Sequence, residues 1–495
     1  MNDAHDEGLV RRPAAAAALR EHLAAVVGAG RGRIVALRGR RQVGKSTLVE
    51  QLVEQAGVPS VFVPGVYGSP LHRQLADATR AIAESRTPLP DADLLTASPA
   101  TSWREWLGRL AVAARSGPVV AVLDEFPWMV AADPTLEGEL QVQWDRALEK
   151  LPVLLVLIGS DVTMMERLAG HDRPLFGRLR PCVVPALDPA EVASALPGHR
   201  AVDVFDAYLV TGGYPRLVTD LAAHGGSAQD YVRSSLADPY SPLVATARLT
   251  LDAEFPDAPA AYRVLSAIGA DDTAHPGFTA VLSAVQDASE RKALETATTR
   301  ALKTLTETKR LVEREAPAWA APSGRLRRYR VTDPYLRFWF RYVERRVEQI
   351  ARGRADLAVA AFDRDWSSWR GRTVEPVVRE ALTRLGRTDP RLAGVEQVLP
   401  WWTRDGRVEV DVVATTAERS AVVGSVKWRP SGGLTAAEVR ALVTARERVL
   451  RAQDAVLAAI TPGGEPAPGI DLVLGADDLL AAWTPGRAAD GDHAG

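Results

Sequence analysis

Cysteine is almost absent. The single thiol, Cys182, excludes an internal disulfide framework and fits a reducing cytosol. Long apolar runs are also missing. A stretch such as LPVLLVLIG (151–159) falls far short of the ~20 residues a membrane-spanning helix needs, so no membrane span is expected. The opening MNDAHDEG is acidic and polar and does not read as a signal peptide. The expected location is therefore the cytoplasm. Net charge is −2, too small for the total to point toward or away from a polyanionic partner. What is present is ordinary for a globular protein, at 46% hydrophobic and 25% charged residues. At 495 residues the length implies about three domains. The Ala- and Arg-rich wording reads as a coding bias, so Ala-rich stretches carry little functional weight.

The distribution of charge says more than its sum. Residues 291–354 hold 17 Lys and Arg against 7 Asp and Glu, a local excess of ten positive charges. Since the whole chain carries −2, the rest carries −12. One strongly basic segment is set in an acidic protein.

Near the start, RIVALRGRRQVGKSTLVE (33–50) joins an apolar strand to a helix through a glycine-bounded loop. It fits the phosphate-binding pattern G-x-x-x-x-G-K-[ST] with Gly39, Gly44, Lys45 and Ser46. The loop residues Arg40, Arg41, Gln42 and Val43, with Thr47 beyond, complete the expected ATP-binding set. Glycines let backbone N–H groups close around phosphate oxygens at a helix N-terminus. Lys45 is expected on phosphate and Ser46 on Mg²⁺. The strand GPVVAVLDEFPW (117–128) ends in Asp124 and Glu125. Acids at the tip of an apolar strand are costly unless they have a task. Asp124 is expected in the Mg²⁺ shell and Glu125 as the base that orients water. A third strand, LPVLLVLIGSD (151–161), ends at Ser160, placed to position water or sense the γ-phosphate. All three tips belong at the carboxyl edge of a parallel sheet, where α/β proteins bind ligands.

The strings GRRQVGKST, LDEF, IGSDVTMMERL, RPLFGRLRP and TGGYPRLV together resemble the archaeal-type ATPases. These are prokaryotic P-loop ATPases related to AAA proteins and close to signalling NTPases. The resemblance implies an AAA-like parallel sheet with a helical lid. Arg12 matches an arginine at the family's start, although Pro13 and alanines replace the usual acids after it. Arg178 matches an arginine finger acting in cis or from a neighbouring copy in a homo-oligomer. A structural arginine bonded to a loop is the alternative. Arg216 matches the lid's sensor arginine, with a surface arginine at a helix start as the alternative.

From about residue 256 the pattern reads as three helices and a two-stranded ribbon, a winged helix-turn-helix. The third helix carries Arg291, Lys292, Arg300 and Lys303, and the ribbon carries Arg325, Arg327, Arg328 and Arg330. The helix would enter a major groove while the ribbon holds phosphates, giving DNA contact through residues 291–354. A protein-binding module with a solvated basic face is the alternative. VTDPYLRFWFRYVERRVEQI (331–350) is expected to begin a long helix, with Tyr335, Phe338, Trp339 and Tyr342 as core joining the domains.

The last part reads α-β-β-β-α-β. This resembles the restriction-endonuclease fold and the domain of uncharacterised function that commonly ends archaeal-type ATPases. A nuclease of this fold needs carboxylates around Mg²⁺ and a lysine. Glu375, Asp411 and Lys427 match, but Ser425 stands where the second strand should supply an acid. Glu409, two residues before Asp411, faces the same way on a strand and is a candidate substitute. An active nuclease, a silent fold that binds DNA or a partner, and a weak nuclease all stay open.

The expected fold is α/β in three parts: a P-loop ATPase core (1–186) with a helical lid (187–250), a winged helix-turn-helix with its linking helix (251–355), and a restriction-endonuclease-like domain (356–484). A disordered tail (485–495) follows. The expected function is an ATP-binding switch with slow Mg²⁺-dependent ATPase activity, coupled to DNA binding. The alternatives are an ATP-gated nuclease in defence and a signalling NTPase whose winged helix binds protein.

Overall fold

The structure, a computed structural model, describes residues 12–255, 258–271, 273, 275–285, 291–321, 324, 326–430 and 432–484. The opening 1–11, Arg325 and the tail 485–495 lie outside the described residues. The chain divides into two compact units, Arg11–Ala186 and Leu187–Gly495.

The first unit is built on a five-stranded sheet. Its strands are β1 (Arg33–Arg38), β2 (Ser60–Pro64), β3 (Val119–Asp124), β4 (Val153–Gly159) and β5 (Leu179–Val183), in the order β2-β3-β4-β1-β5. Every pairing is parallel. Parallel strands joined by helical crossovers have both faces covered, and the sequence shows it. All seven residues of β4 are buried. Val153, Leu155 and Leu157 point into a core shared with Trp103, Trp106 and Leu107, all fully buried. Helix α1 (Pro13–Ala29) starts with proline at its first position and buries Leu19, Leu23 and Val26 at i, i+4 and i+7. Helix α2 (Lys45–Ala56) follows the phosphate-binding motif, and α3 (Phe126–Ala132) follows β3.

The second unit opens with helices that include α4 (Ala201–Thr211) and α5 (Pro215–His224). Next come α6 (Pro259–Gly269), α7 (Phe278–Ala284) and α8 (Arg291–Lys303). Strands β6 (Val312–Glu315) and β7 (Arg328–Val331) then form an antiparallel ribbon. The stretch 331–350 is not one helix. Helix α9 (Pro334–Tyr342) stops, and a 3₁₀ turn (Glu344–Arg346) and a short helix (Val347–Ala351) follow. Two contacts account for the break. Glu344 turns back to accept from Tyr262 and Ser266 of α6, and Arg346 donates to the terminal carbonyls of Arg341 and Tyr342. The long helix is α10 (Ala355–Leu385), which contains Glu375 and Pro376. Tyr335, Phe338, Trp339 and Tyr342 are all buried. Phe338 and Tyr342 pack on Phe362 and Trp369 of α10, whereas Trp339 donates to the Val244 carbonyl at 3.0 Å. This aromatic cluster makes the helices 242–254, α9 and α10 one core.

Beyond α10 lies a second five-stranded sheet, made of β8 (Gln397–Trp402), β9 (Glu409–Thr415), β10 (Ser420–Val426), β11 (Val456–Ile460) and β12 (Leu472–Leu474), in sequential order. β8, β9 and β10 are antiparallel, and β11 and β12 add in parallel. Helix α11 (Ala436–Arg446) makes the β10–β11 crossover and begins with a Thr435–Glu438 capping box.

Candidate functional site

The first unit gathers its chemistry at the carboxyl ends of β1, β3 and β4. The loop leaves β1 at Gly39, where a Cβ would lie 2.2 Å from the Val184 carbonyl oxygen, so only glycine fits. Gln42 (φ 63°) and Gly44 (φ 83°) adopt left-handed backbone that turns the loop into α2. Lys45 is buried, and its Nζ donates to the carbonyls of Gly39 and Arg40, both at 2.9 Å. Burial pulls its ammonium down to about 8, while Glu125 and Asp124 act in the opposite direction. A desolvated cation held by a loop at a helix N-terminus suits an anion. Ser46 Oγ donates to Asp124 Oδ2 at 2.7 Å, which brings the loop hydroxyl and the β3 carboxylate together. Burial raises Asp124. Hydroxyl and carboxylate oxygens are hard donors of the kind Mg²⁺ takes. Among these residues, Ser46 and Asp124 are therefore the ones that would hold it.

Glu125 sits at φ 50°, left-handed backbone that is rare for a non-glycine residue. Gly65 supports this turn. Its N–H donates to the Asp124 carbonyl at 2.7 Å, and a Cβ there would meet the Asp124 and Glu125 carbonyls. The Glu125 carboxylate meets Ser160, whose Oγ is 2.8 and 2.9 Å from its two oxygens. Ser160 thus contacts the acid itself. Arg41 lies over the Trp128 ring at 5.3 Å, and the exposed Tyr67 packs edge-on to Trp128 at 5.9 Å. Sequence reading named Arg41 and missed the two rings, because β2 and β3 deliver them from separate segments. Thr47 and Gln42 are exposed, and Arg40, Arg41 and Val43 complete the loop. Arg12 is buried and donates to the Pro185 carbonyl at 2.7 Å.

Arg178 is held within the unit. Its Nε and Nη2 each lie 2.7 Å from the Asp145 carboxylate, and its Nη1 donates to the carbonyls of Pro174 and Phe176. This is the loop-bonded arrangement given above as the alternative to a finger. Arg216 belongs to the second unit, exposed in the first turn of α5 behind Pro215.

In the second unit, the expectation that the ribbon holds phosphates meets a contrary geometry. Arg328 pairs with Glu409 and lies 4.5 Å over the Trp402 ring. Arg330 pairs with Glu313 and with Glu315. Arg327 donates to the carbonyls of Leu326 and Ala321. The loop between the two ribbon strands is also anchored, with Trp319 Nε1 on Ser420 Oγ at 2.9 Å and the Ala318 amide on the Pro400 carbonyl at 2.9 Å. The ribbon is thus fastened to the second sheet. By contrast, Arg291, Lys292, Arg300 and Lys303 of α8 are exposed.

The acids of the second sheet come together only in part. Glu375, Glu409 and Asp411 line one cavity of about 390 Å³ together with His275, Glu315 and Arg379. Ser425 Oγ donates to Asp411 Oδ2 at 3.0 Å, and the Val426 N–H reaches the same oxygen at 2.8 Å. Lys427 Nζ stands 4.0 Å from it. Burial, and after it the Asp411 charge, pushes Glu375 up to about 8, while Arg379 at 3.7 Å acts in the opposite direction. The Glu409 carboxylate is engaged by Arg328. Among the described residues no group of three His, Cys, Asp or Glu is placed to hold a metal ion. The buried links His275–Glu315 at 2.7 Å and Arg379–Glu315 at 2.9 Å were invisible in the sequence, since their members lie in three distant segments.

Residues 339–442 match the family model DUF234, described as archaeal and bacterial proteins of unknown function. An uncharacterised protein of Methanocaldococcus jannaschii is 22% identical over 313 residues, which cover 63% of this chain and 67% of that one. Among solved structures, a Walker-type ATPase of Pyrococcus abyssi superposes with a TM-score of 0.48 at 15% identity, covering 68% of this chain and 97% of that one. The Aeropyrum pernix ORC2 protein in ADPNP–ADP complexes gives 0.46 at 17% identity, covering 72% and 95%. The Aeropyrum pernix ORC1 protein in complex with DNA gives 0.35 at 16%, covering 73% and 96%. No helix among the described residues is long and apolar enough to cross a membrane.

Proposed function

We propose that the chain binds ATP with Mg²⁺ at the loop 39–47 and hydrolyses it slowly as a conformational switch. The observation that carries this reading is the Ser46–Asp124 hydrogen bond of 2.7 Å beside the buried Lys45. Lys45 neutralises phosphate charge, and Ser46 and Asp124 hold the cation. A bound Mg²⁺ supplies charge stabilisation at the transferring phosphoryl group. Glu125 orients the attacking water and takes its proton, and Ser160 fixes the Glu125 carboxylate. The test is isothermal titration of ATP against the parent and Lys45→Ala. Loss of binding in the variant is expected, and unchanged affinity sinks the assignment.

The exposed cations of α8 favour a nucleic-acid contact as the second part of this reading. That contact uses the helix and leaves the ribbon in its structural role. Replacing Lys292, Arg300 and Lys303 by Ala should weaken duplex binding between 50 and 200 mM salt and lower the salt slope by about 3. Arg328→Ala should leave that slope unchanged. Equal effects of the two variants would return the ribbon to the interface, and no duplex binding by the parent would favour a protein-binding module. The second sheet is read as a catalytically silent fold, because Ser425 and Arg328 engage the acids a metal would need.

A further inference from the structure

At the end of α9 the chain places four arginines around one cavity of about 320 Å³. Arg341, Arg345 and Arg346 come from the segment that closes α9, and Arg364 comes from α10. Among the described residues that line the cavity there is one acid, Asp365. It pairs with Arg341 and accepts from Arg364 Nε at 3.0 Å. Other carboxylates nearby, among the described residues, are engaged elsewhere. Glu344 is bonded to Tyr262 and Ser266, Glu348 to Arg352 at 3.6 Å, and Asp363 to Arg233 at 2.9 Å. Among the described lining residues four guanidinium groups face one carboxylate, an excess of positive charge on a small concave surface.

Such crowding is unfavourable unless an anion fills the space. Burial pulls Arg346 down from its usual range, and Arg341, Arg364 and Arg345 each add to the effect. The Tyr342 hydroxyl is buried on the same wall beside Arg341. A ligand oxygen in the cavity would relieve the charge. Guanidinium forks match phosphate oxygens two at a time.

We propose that this cavity is a binding site for a small diphosphate-bearing ligand, held by Arg341, Arg345, Arg346 and Arg364. The volume stands at the lower end of small-molecule pockets, which begin near ~300 Å³. The excess of positive charge matches a polyanion. The arginines converge on one cavity and are not strung along a groove, which favours clustered phosphates over the single, spaced charges of a nucleic-acid backbone. This site is separate from the loop 39–47 and stands on its own residues.

The probe is inorganic pyrophosphate, titrated calorimetrically into the full chain carrying Lys45→Ala so that the loop does not capture it. Single-site binding is expected, weakened at least about tenfold by Arg345→Gln with Arg364→Gln. Both arginines are exposed, and without pyrophosphate the double variant should melt no lower than its parent, since removing crowded like charges relieves repulsion. Absence of pyrophosphate binding in the Lys45→Ala chain overturns the proposal, as does equal binding by the double variant. So does binding of a short single-stranded oligonucleotide that depends on Arg345 and Arg364 while pyrophosphate does not bind, since the ligand is then nucleic acid.

Discussion

Ser160 Oγ lies within hydrogen-bond reach of both carboxylate oxygens of Glu125, at 2.8 and 2.9 Å, with the Ser160 N–H behind it at 3.4 Å. The tip of β4 therefore holds the tip of β3. A carboxylate on a left-handed residue would otherwise be free to swing, and a base must be oriented before it can align water.

Ser160→Ala removes that constraint and leaves the loop untouched. A hydrogen bond to a charged group contributes about 1.5 kcal/mol or more, so kcat should fall about tenfold or further. ATP affinity should stay within about twofold. Ser160→Thr, which keeps the hydroxyl, should restore turnover. Steady-state hydrolysis with a parallel nucleotide titration separates the two quantities. A drop in affinity with unchanged kcat would place Ser160 on the nucleotide and not on Glu125.

Arg178 offers a sharper contrast. Its bidentate bond to Asp145 is partly exposed, so in this geometry Arg178→Ala should cost stability by only about 0.5–1 kcal/mol. Turnover should change less than about twofold. An arginine finger would instead contribute about 10³–10⁵ in kcat. Kinetics of Arg178→Ala and Asp145→Ala, measured across a range of protein concentrations, decide between the two. A loss of more than about a hundredfold in the first variant alone would show that Arg178 leaves Asp145 to act on phosphate.

The parts of the molecule that were legible in the sequence are those whose chemistry is local. Gly39 to Ser46, Asp124 with Glu125, and Ser160 each sit at the end of an apolar run, where a strand tip is easy to read. The Thr435–Glu438 capping box was equally readable, because its two partners are three residues apart. What was hidden depends on pairing between distant segments. The Arg328–Glu409 ion pair spans 81 positions, and it ties the ribbon to the second sheet. The same holds for the break after Tyr342. The aromatic spacing of 335–342 is helical, but the signal that ends the helix is Glu344 reaching back to α6, which no local pattern shows.

Glu375 should make stability depend on pH. Its carboxyl stands near 8 in the folded chain against an ordinary value of 4.5, so the native state keeps a proton that the unfolded chain gives up. The stabilisation from that bound proton is fully present below about pH 4.5 and is lost as the pH rises through 8. Glu375→Gln keeps a neutral group throughout. Relative to the parent, it should therefore gain stability between pH 5 and pH 8.5, by about 4 kcal/mol. Urea midpoints at the two pH values give the comparison. A variant that loses stability as the pH rises would mean that Glu375 is ionised and paired in the native state.

Ser425 is where the second sheet departs from a metal site, and its geometry says what restoring an acid would do. The hydroxyl is 3.0 Å from Asp411 Oδ2, so Ser425→Glu sets a second negative charge beside the first with Lys427 4.0 Å from it. Without metal the two carboxylates repel, and the chain should lose about 1–2 kcal/mol, seen as a lower Tm. A divalent cation bridging them would reverse the sign, because a ligand that binds only the native state stabilises it in proportion to its concentration over Kd. Mn²⁺ at millimolar concentration should therefore raise the Tm of Ser425→Glu more than that of the parent. Asp124→Asn in both backgrounds removes the carboxylate that would hold a cation in the first unit. If Mn²⁺ moves the two melting curves equally, Asp411 and residue 425 do not form the two sides of a metal site, and the second sheet is a binding fold whatever residue stands there.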